Sequence, residues 1–321
     1  MSSSDLESSL STWLLQIRPL LNREGKGVTL NAAAMNPQEI IRIFRKERVV
    51  IDAKAPIGVM DGGLGGFTVV KELQKILPEE DVIYLGDGKN NPYGNRSGED
   101  IVHLTKQCLN FLKEKKVKTV AVACNTISTM IDHYQPDYDF KIFSIVQAGS
   151  DDAVRMDLQQ IGVLSTVFTA KTECYAHLIH QRKPQMKVYA QGCPMLARLI
   201  EDGDFDCGRI DAELNKTLGG LLEQYPALDS LVFGCTHFPL VQENIERLYP
   251  QLIHLINPAA TQARQVKEYL EREHALNTGG AGTFRIYTTG NRESYRSVAE
   301  RVGLKTPLSI EHVPAPQPLN S

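Results

Sequence analysis

The chain has 321 residues, 42% of them hydrophobic, which is enough to bury a substantial core, and at this length two domains are expected. A formal charge of −3 spread along the sequence lacks the basic excess that a phosphate backbone or an anionic membrane demands, so nucleic acid is set aside as a partner. No run approaches the roughly 18 apolar residues that span a bilayer, so no membrane partner is expected, and six cysteines without paired spacing or a C-x-x-C element predict a reducing, cytoplasmic setting.

The first 54 residues read as a helical extension. Its start, MSSSDLESSLSTWLLQ, has neither a positively charged opening nor a small-residue cleavage site, so no secretion signal is expected. Leu10, Trp13, Leu14, Ile17 and Leu21 share one helical face, and Ile40, Ile41 and Phe44 predict a second short helix after Asn36-Pro37. From residue 56 short apolar runs alternate with longer amphipathic stretches, the pattern of a parallel α/β sheet. The predicted strands are Ile57–Met60, Val82–Leu85, Thr119–Ala123, Ile142–Ile145, Ile161–Leu164, Lys187–Ala190, Ser230–Phe233 and Phe284–Thr288. Among the helices, Ile101–Lys113 places Ile101, Leu104, Cys108 and Leu112 on one face, which makes Cys108 core filler. The last ten residues, HVPAPQPLNS, are proline-rich and polar and read as a flexible tail over 312–321.

The chain also repeats itself weakly. IGVMDGG at 57–63 is echoed by IGVLSTV at 161–167, and TVAVACNTIST at 119–129 by SLVFGCTHFPL at 230–240. The expected fold is therefore α/β, with two pseudosymmetric domains whose central parallel sheets face one another across a cleft. Each half then ends a strand in a cysteine, Cys124 or Cys235, followed by Asn125-Thr126 or Thr236-His237. Strand carboxyl ends form the ligand crevice of open α/β sheets, and nearby helix N-termini bind carboxylates and activate thiols.

Two opposed thiols suit one chemistry in particular. Inverting an α-carbon removes a proton from one face and returns one to the other, and a thiolate and a thiol on opposite walls supply that pair. Without pyridoxal phosphate, fixed N–H and hydroxyl donors must hold the developing charge, for which Asn125, Thr126 and Thr236 are candidates. A metal at Cys235 and His237 competes with this reading, but an open zinc site needs three ligands and nothing nearby in the sequence completes the set. A Cys-His hydrolase is another rival, and it leaves Cys124 unexplained. Gly62, Gly63, Gly65 and Gly66 after the first strand imitate a dinucleotide fingerprint. Its spacing fails, since Thr68 stands where the third glycine belongs.

At these residues the chain resembles the glutamate racemases and their aspartate racemase relatives. The matching pieces are IGVMDGGLGG (57–66), GD…NPYGNRS (86–97), ACNT (123–126), IGVLST (161–166), GCPMLARLIEDG (192–203) and GCTHFPL (234–240), in family order across about 56–290. The resemblance implies a cofactor-independent racemase that interconverts L- and D-glutamate, a first domain of 56–146 completed by the returning segment 258–311 and a second of 147–257, a homodimer, and a supply of D-glutamate for peptidoglycan. It implies Cys124 and Cys235 as the proton-transfer pair, with Asp61 and His237 tuning them. Asn125, Thr126, Thr166 and Thr236 would hold the α-carboxylate and amino groups. Pro92, Tyr93, Gly94 and Asn95 would line the side-chain end of the pocket, with Glu201 at its rim.

Three departures stand out. Gly62 replaces the family's serine, Gly88-Lys89-Asn90 replaces threonine-alanine-arginine, and Gln147-Ala148 replaces an interdomain Glu-Pro. If glutamate is the substrate, a water or Asn91 is expected to fill the place of the missing hydroxyl, and Gly62→Ser to be tolerated. Aspartate or another acidic substrate is the alternative, as is a non-catalytic regulatory protein on the same fold.

Overall fold

The computed structural model describes residues 51–156, 158–203 and 207–319. The expected helices of the extension fall on residues 1–50, outside the described residues, whereas 51–54 belong to the same compact unit as the rest. Lys118 Nζ donates to the carbonyl of Ala53 at 2.8 Å, so the extension expected over 1–54 is cut back at its end.

Ten strands among the described residues form two sheets. In the first, β1 (Ile57–Asp61) lies between β2 (Val82–Gly86) and β3 (Thr119–Val122), with β4 (Lys141–Ser144) beyond β3. In the second, β5 (Gln160–Ser165) lies between β6 (Lys187–Gly192) and β7 (Ser230–Gly234), with β8 (His254–Ile256) beyond β7. The chain then returns to the first sheet, adding β9 (Phe284–Thr288) outside β2 and β10 (Ser309–His312) at the edge. Every pairing is parallel. Parallel strands need helical crossovers that cover both sheet faces, which is why IGVMD, VIYLG and SLVFG read as unbroken apolar runs and are buried throughout.

The two halves share one topology: β2-β1-β3-β4 is matched by β6-β5-β7-β8. The sequence echoes fall on equivalent strands, β1 with β5 and β3 with β7. A single apolar cluster joins the halves. It packs Phe67, Val70 and Leu73 of the helix Phe67–Ile76 and Ala263 and Val266 of the helix Ala259–Arg272 with Ile161, Val163 and Val232 of the second sheet. Gln262, fully buried, ties that junction by donating to the carbonyls of Val122 and Phe143, both at 2.9 Å. The outer face of the first sheet packs on the helix Gly98–Glu114, which starts where Ser97 Oγ accepts from Asp100 N at 3.2 Å with Glu99 and Asp100 in its first turn. Cys108 is buried there as expected.

Two local expectations are corrected. Ile145 opens the helix Ile145–Arg155 instead of ending β4, because Ser144 Oγ caps it by accepting from Gln147 N at 3.3 Å. The tail is not loose along its described length. His312 ends β10, and 313–319 lie hydrogen-bonded along the helix Gly98–Glu114.

Candidate active site

In each half the chain leaves the first strand to one side and crosses back to the other for the third. The crevice at such a switch opens beyond the carboxyl ends of those two strands. Asp61 is the last residue of β1, Cys124 comes two residues after β3, Thr166 directly follows β5 and Cys235 directly follows β7. All four line one cavity, together with Asn125, Thr126, Thr236 and His237. Asn91, Pro92, Tyr93 and Gly94 from the loop after β2, and Ala197 from the helix Leu196–Glu201, close it. Its free volume is about 20 Å³, room for about one water.

The two thiols have unlike surroundings. Cys124 stands at the N-cap position of the short helix Asn125–Ser128 without a side-chain capping hydrogen bond, and the backbone of Ile127 and Gly62 lies near enough to favour its charged form. Burial nevertheless pushes this thiol far up, and the neighbouring Asp61 adds to the shift. Cys235 stands 3.6 Å from His237 Nδ1, while His237 Nε2 meets Glu201 Oε2 at 2.5 Å. Burial by itself would press the imidazole down, but its hydrogen bonds to Cys235 and Glu201 outweigh that and hold it well above its ordinary value. Glu201 Oε2 also accepts from Leu64 N at 3.1 Å, joining the halves.

Asp61 forms a second bridge. Its Oδ1 accepts from Gly63 N at 2.8 Å and its Oδ2 from Thr236 Oγ1 at 3.0 Å. Burial raises its carboxyl, against the lowering effect of His237 and these donors. Three hydroxyls make a third bridge: Thr126 Oγ1 lies 3.0 Å from Thr166 Oγ1 and 3.3 Å from Thr169 Oγ1. Asn125 Oδ1 accepts from Tyr175 OH at 2.7 Å, which fixes the carboxamide and leaves its buried Nδ2 without a hydrogen-bond partner. An unpaired donor on a cavity wall is costly unless a ligand accepts from it.

The glycine-rich loop has a steric explanation. Tyr84 OH anchors it by donating to the carbonyl of Gly63 at 2.6 Å. A side chain at Gly65 would run into Thr236 Oγ1 and come within 2.8 Å of His237 N. The loop thus lies against the other half of the molecule, at the residues that face Cys235. A Cβ on Gly62 would stand 2.9 Å from the Tyr93 ring, a contact that glycine avoids.

The residues singled out from sequence all line this cavity except Asn95, Gly62 and Glu201. Asn95 is exposed and does not line the cavity, because Tyr93–Asn95 forms a single tight turn in which Gly94 presses toward Thr166 and Asn95 faces away. Gly62 stands behind Cys124, and Glu201 stands behind His237 as its carboxylate partner. Reading the sequence missed Tyr175 and Thr169, which carry no motif of their own, and gave no role to Ala197 within GCPMLARLIEDG. Asp87, quoted from the sequence only within the GD…NPYGNRS stretch, was given no role in the site, yet its Oδ2 accepts from Tyr93 OH at 2.7 Å. Among the described residues no three His, Cys, Asp or Glu side chains are grouped to hold a metal ion, and no helix is long and apolar enough to cross a membrane.

Residues 58–266 match the sequence profile of the Asp/Glu/Hydantoin racemase family. The chain is 38% identical over 250 residues to "Glutamate racemase 2" of Caldanaerobacter subterraneus subsp. tengcongensis, covering 77% of this chain and 92% of that protein. It is 37% identical over 246 residues to the glutamate racemase of Thermoanaerobacter pseudethanolicus, covering 76% of this chain and 92% of the relative. The fold superposes on the crystal structure of glutamate racemase from Francisella tularensis in complex with D-glutamate with a TM-score of 0.75, at 30% identity, covering 82% of this chain and 98% of that one.

Proposed function

The chain belongs to the Asp/Glu/Hydantoin racemase family, and from that premise we propose that it is an isomerase that interconverts L- and D-glutamate. Cys124 and Cys235 are its proton-transfer pair, and no cofactor takes part. One observation carries this reading: the two thiols follow topologically equivalent strands, β3 and β7, and line the same cavity.

The step balances simply. A thiolate on one wall takes the α-proton and becomes a thiol, and the electron pair is left on the α-carbon and its carboxylate. The thiol on the other wall gives its own proton to the opposite face and becomes the thiolate. Reversal exchanges the roles. Asn125 Nδ2, the Thr126, Thr166 and Thr236 hydroxyls and the backbone around Gly62 would hold the carboxylate and amino groups, placing donors where charge develops. Pro92, Tyr93 and Gly94 would face the substrate side chain. Asp61 and the Glu201–His237 pair would set the charge beside each thiol.

With about 20 Å³ free, a glutamate enters only if the bridges Asp61–Thr236, Leu64–Glu201 and Thr126–Thr166 part. The apolar cluster under the junction would then serve as the hinge, with the lobes divided as 56–146 plus 258–311 and 147–257. Supply of D-glutamate for peptidoglycan and a homodimer, both resting on the family resemblance, and a cytoplasmic site of action, resting on the unpaired cysteines, complete the proposal. Incubating the protein with each glutamate enantiomer in deuterated water, without added cofactor, tests the activity. Both enantiomers are expected to gain α-deuterium, and folded, reduced protein that leaves both unlabelled would refute it.

A further inference from the structure

The loop that closes the cavity is held from its outer side by the end of the chain. Asn90 is 4% exposed, and every polar atom of its side chain is engaged. Its Nδ2 donates to Asp87 Oδ2 and to the carbonyl of Pro316, both at 2.9 Å. Its Oδ1 accepts from Arg96 Nη2 at 3.1 Å, while Arg96 Nε donates to the Asn90 carbonyl at 2.8 Å and closes the loop into a ring. Asp87 in turn accepts from Tyr93 OH at 2.7 Å, and Tyr93 lines the cavity. A continuous path therefore runs from Pro316 through Asn90 and Asp87 to a cavity wall.

The terminal segment is built to stay in place. Prolines at 314, 316 and 318 restrict its backbone before it docks, which lowers the entropy that ordering costs. The alternation leaves N–H groups on 315, 317 and 319. Gln317 N donates to Gln107 Oε1 at 3.1 Å, and Gln107 Nε2 returns a bond to the Gln317 carbonyl at 2.9 Å. Leu319 N donates to Asp100 Oδ1 at 3.1 Å, and the other oxygen of Asp100 binds Arg96 Nη1 at 2.6 Å. The segment thus grips the loop twice, through Asn90 and through Arg96.

We propose that residues 313–319 form a strap that positions the substrate loop 88–97, with Asn90 as the positioning residue through which it acts. The inference rests on reading this cavity as the racemase site. Asn90 touches no substrate in this account. It holds Asp87 and hence the Tyr93 ring against the pocket, so that binding does not have to order the loop.

The test compares the full chain with Asn90→Ala, with a chain ending at Ala315, and with both changes together. Two readouts are used: KM and kcat for glutamate, and backbone amide exchange over 88–97. Each single change is expected to raise KM about tenfold, as for one lost hydrogen bond, while kcat stays within about threefold. Amides 88–97 should exchange faster in both. Because the Asn90–Pro316 bond is shared, the effect of the double variant should fall short of the sum of the two single effects. Unchanged KM and unchanged loop exchange in the truncated chain would overturn the proposal, and so would additive effects in the double variant. The described residues that the truncation removes, 316–319, are partly or fully exposed, so it remains decisive if Asn90→Ala fails to fold. A full-length chain that does not turn over glutamate would defeat the activity alone, since amide exchange still reports on the strap.

Discussion

Gly62 and His237 show how single residues set the character of each wall. Beside Cys124, Gly62 contributes a backbone N–H and no side chain, and the Tyr93 ring occupies the space a Cβ would need, 2.9 Å from it. That ring is buried and tied to Asp87, so it cannot swing away freely. Gly62→Ser is therefore expected to be harmful, contrary to the tolerance inferred from the sequence. Overpacking of about 1–3 kcal/mol corresponds to a fall of roughly one to two powers of ten in kcat/KM for glutamate, and steady-state kinetics at wild-type level would contradict it. On the other wall the His237 pKa is raised well above 6.5, so its charged form is favoured by the fold. The sign follows: the stability this contributes is fully present below the unfolded value near 6.5 and is lost as pH climbs through the higher folded value. The gap in Tm between wild type and His237→Asn should be widest near about pH 6 and narrow at alkaline pH, and a gap that widened instead would reverse the assignment. The paired cysteines, Asp61 and His237 were legible because a motif marks each. Tyr175 and Thr169 reach the site only through the packing of their helices, on Asn125 and Thr126, and nothing local in the sequence announces that.

At the level of elements, the strand order explains why two distant cysteines meet. The weak internal repeat was readable because buried parallel strands keep their apolar runs, and both echoes landed on equivalent strands. The strands not foreseen, β8 and β10, are three and four residues long and partly exposed, too short for a hydrophobic run to declare them. The tail was misread for a related reason: composition reports the absence of apolar residues but not the hydrogen bonds to Gln107 and Asp100 that hold it. The glycine loop after β1 shows the opposite case, a motif legible in sequence whose purpose only the fold reveals. Its close approach to Thr236 and His237 makes Gly65 one of the points where the two halves touch. Gly65→Ala is expected to push the Thr236 segment away from Asp61. Backbone stands in the way, so a cost of about 1–3 kcal/mol in unfolding free energy and at least a tenfold loss of kcat are expected. Denaturant unfolding and turnover that both match wild type would show that the halves do not meet there.

Across the whole molecule, two similar lobes share one apolar cluster at their base and three polar bridges at their rims. Packed cores resist continuous deformation, so the lobes are expected to part at the polar rims while the base holds. On the proposed reading that arrangement would admit a substrate and then exclude water from the two thiols, which would strengthen every electrostatic contact within the cavity. The account stands or falls on those thiols acting from opposite faces. The measurement that bears on it most directly is full racemisation, followed from each glutamate enantiomer in deuterated water, by Cys124→Ala and Cys235→Ala proteins shown to be folded. Neither variant should convert one enantiomer into the other at more than about one part in a thousand of the wild-type rate, since each keeps a proton acceptor or a donor for a given enantiomer but not both. Racemisation at wild-type rate by either variant would contradict the two-thiol mechanism.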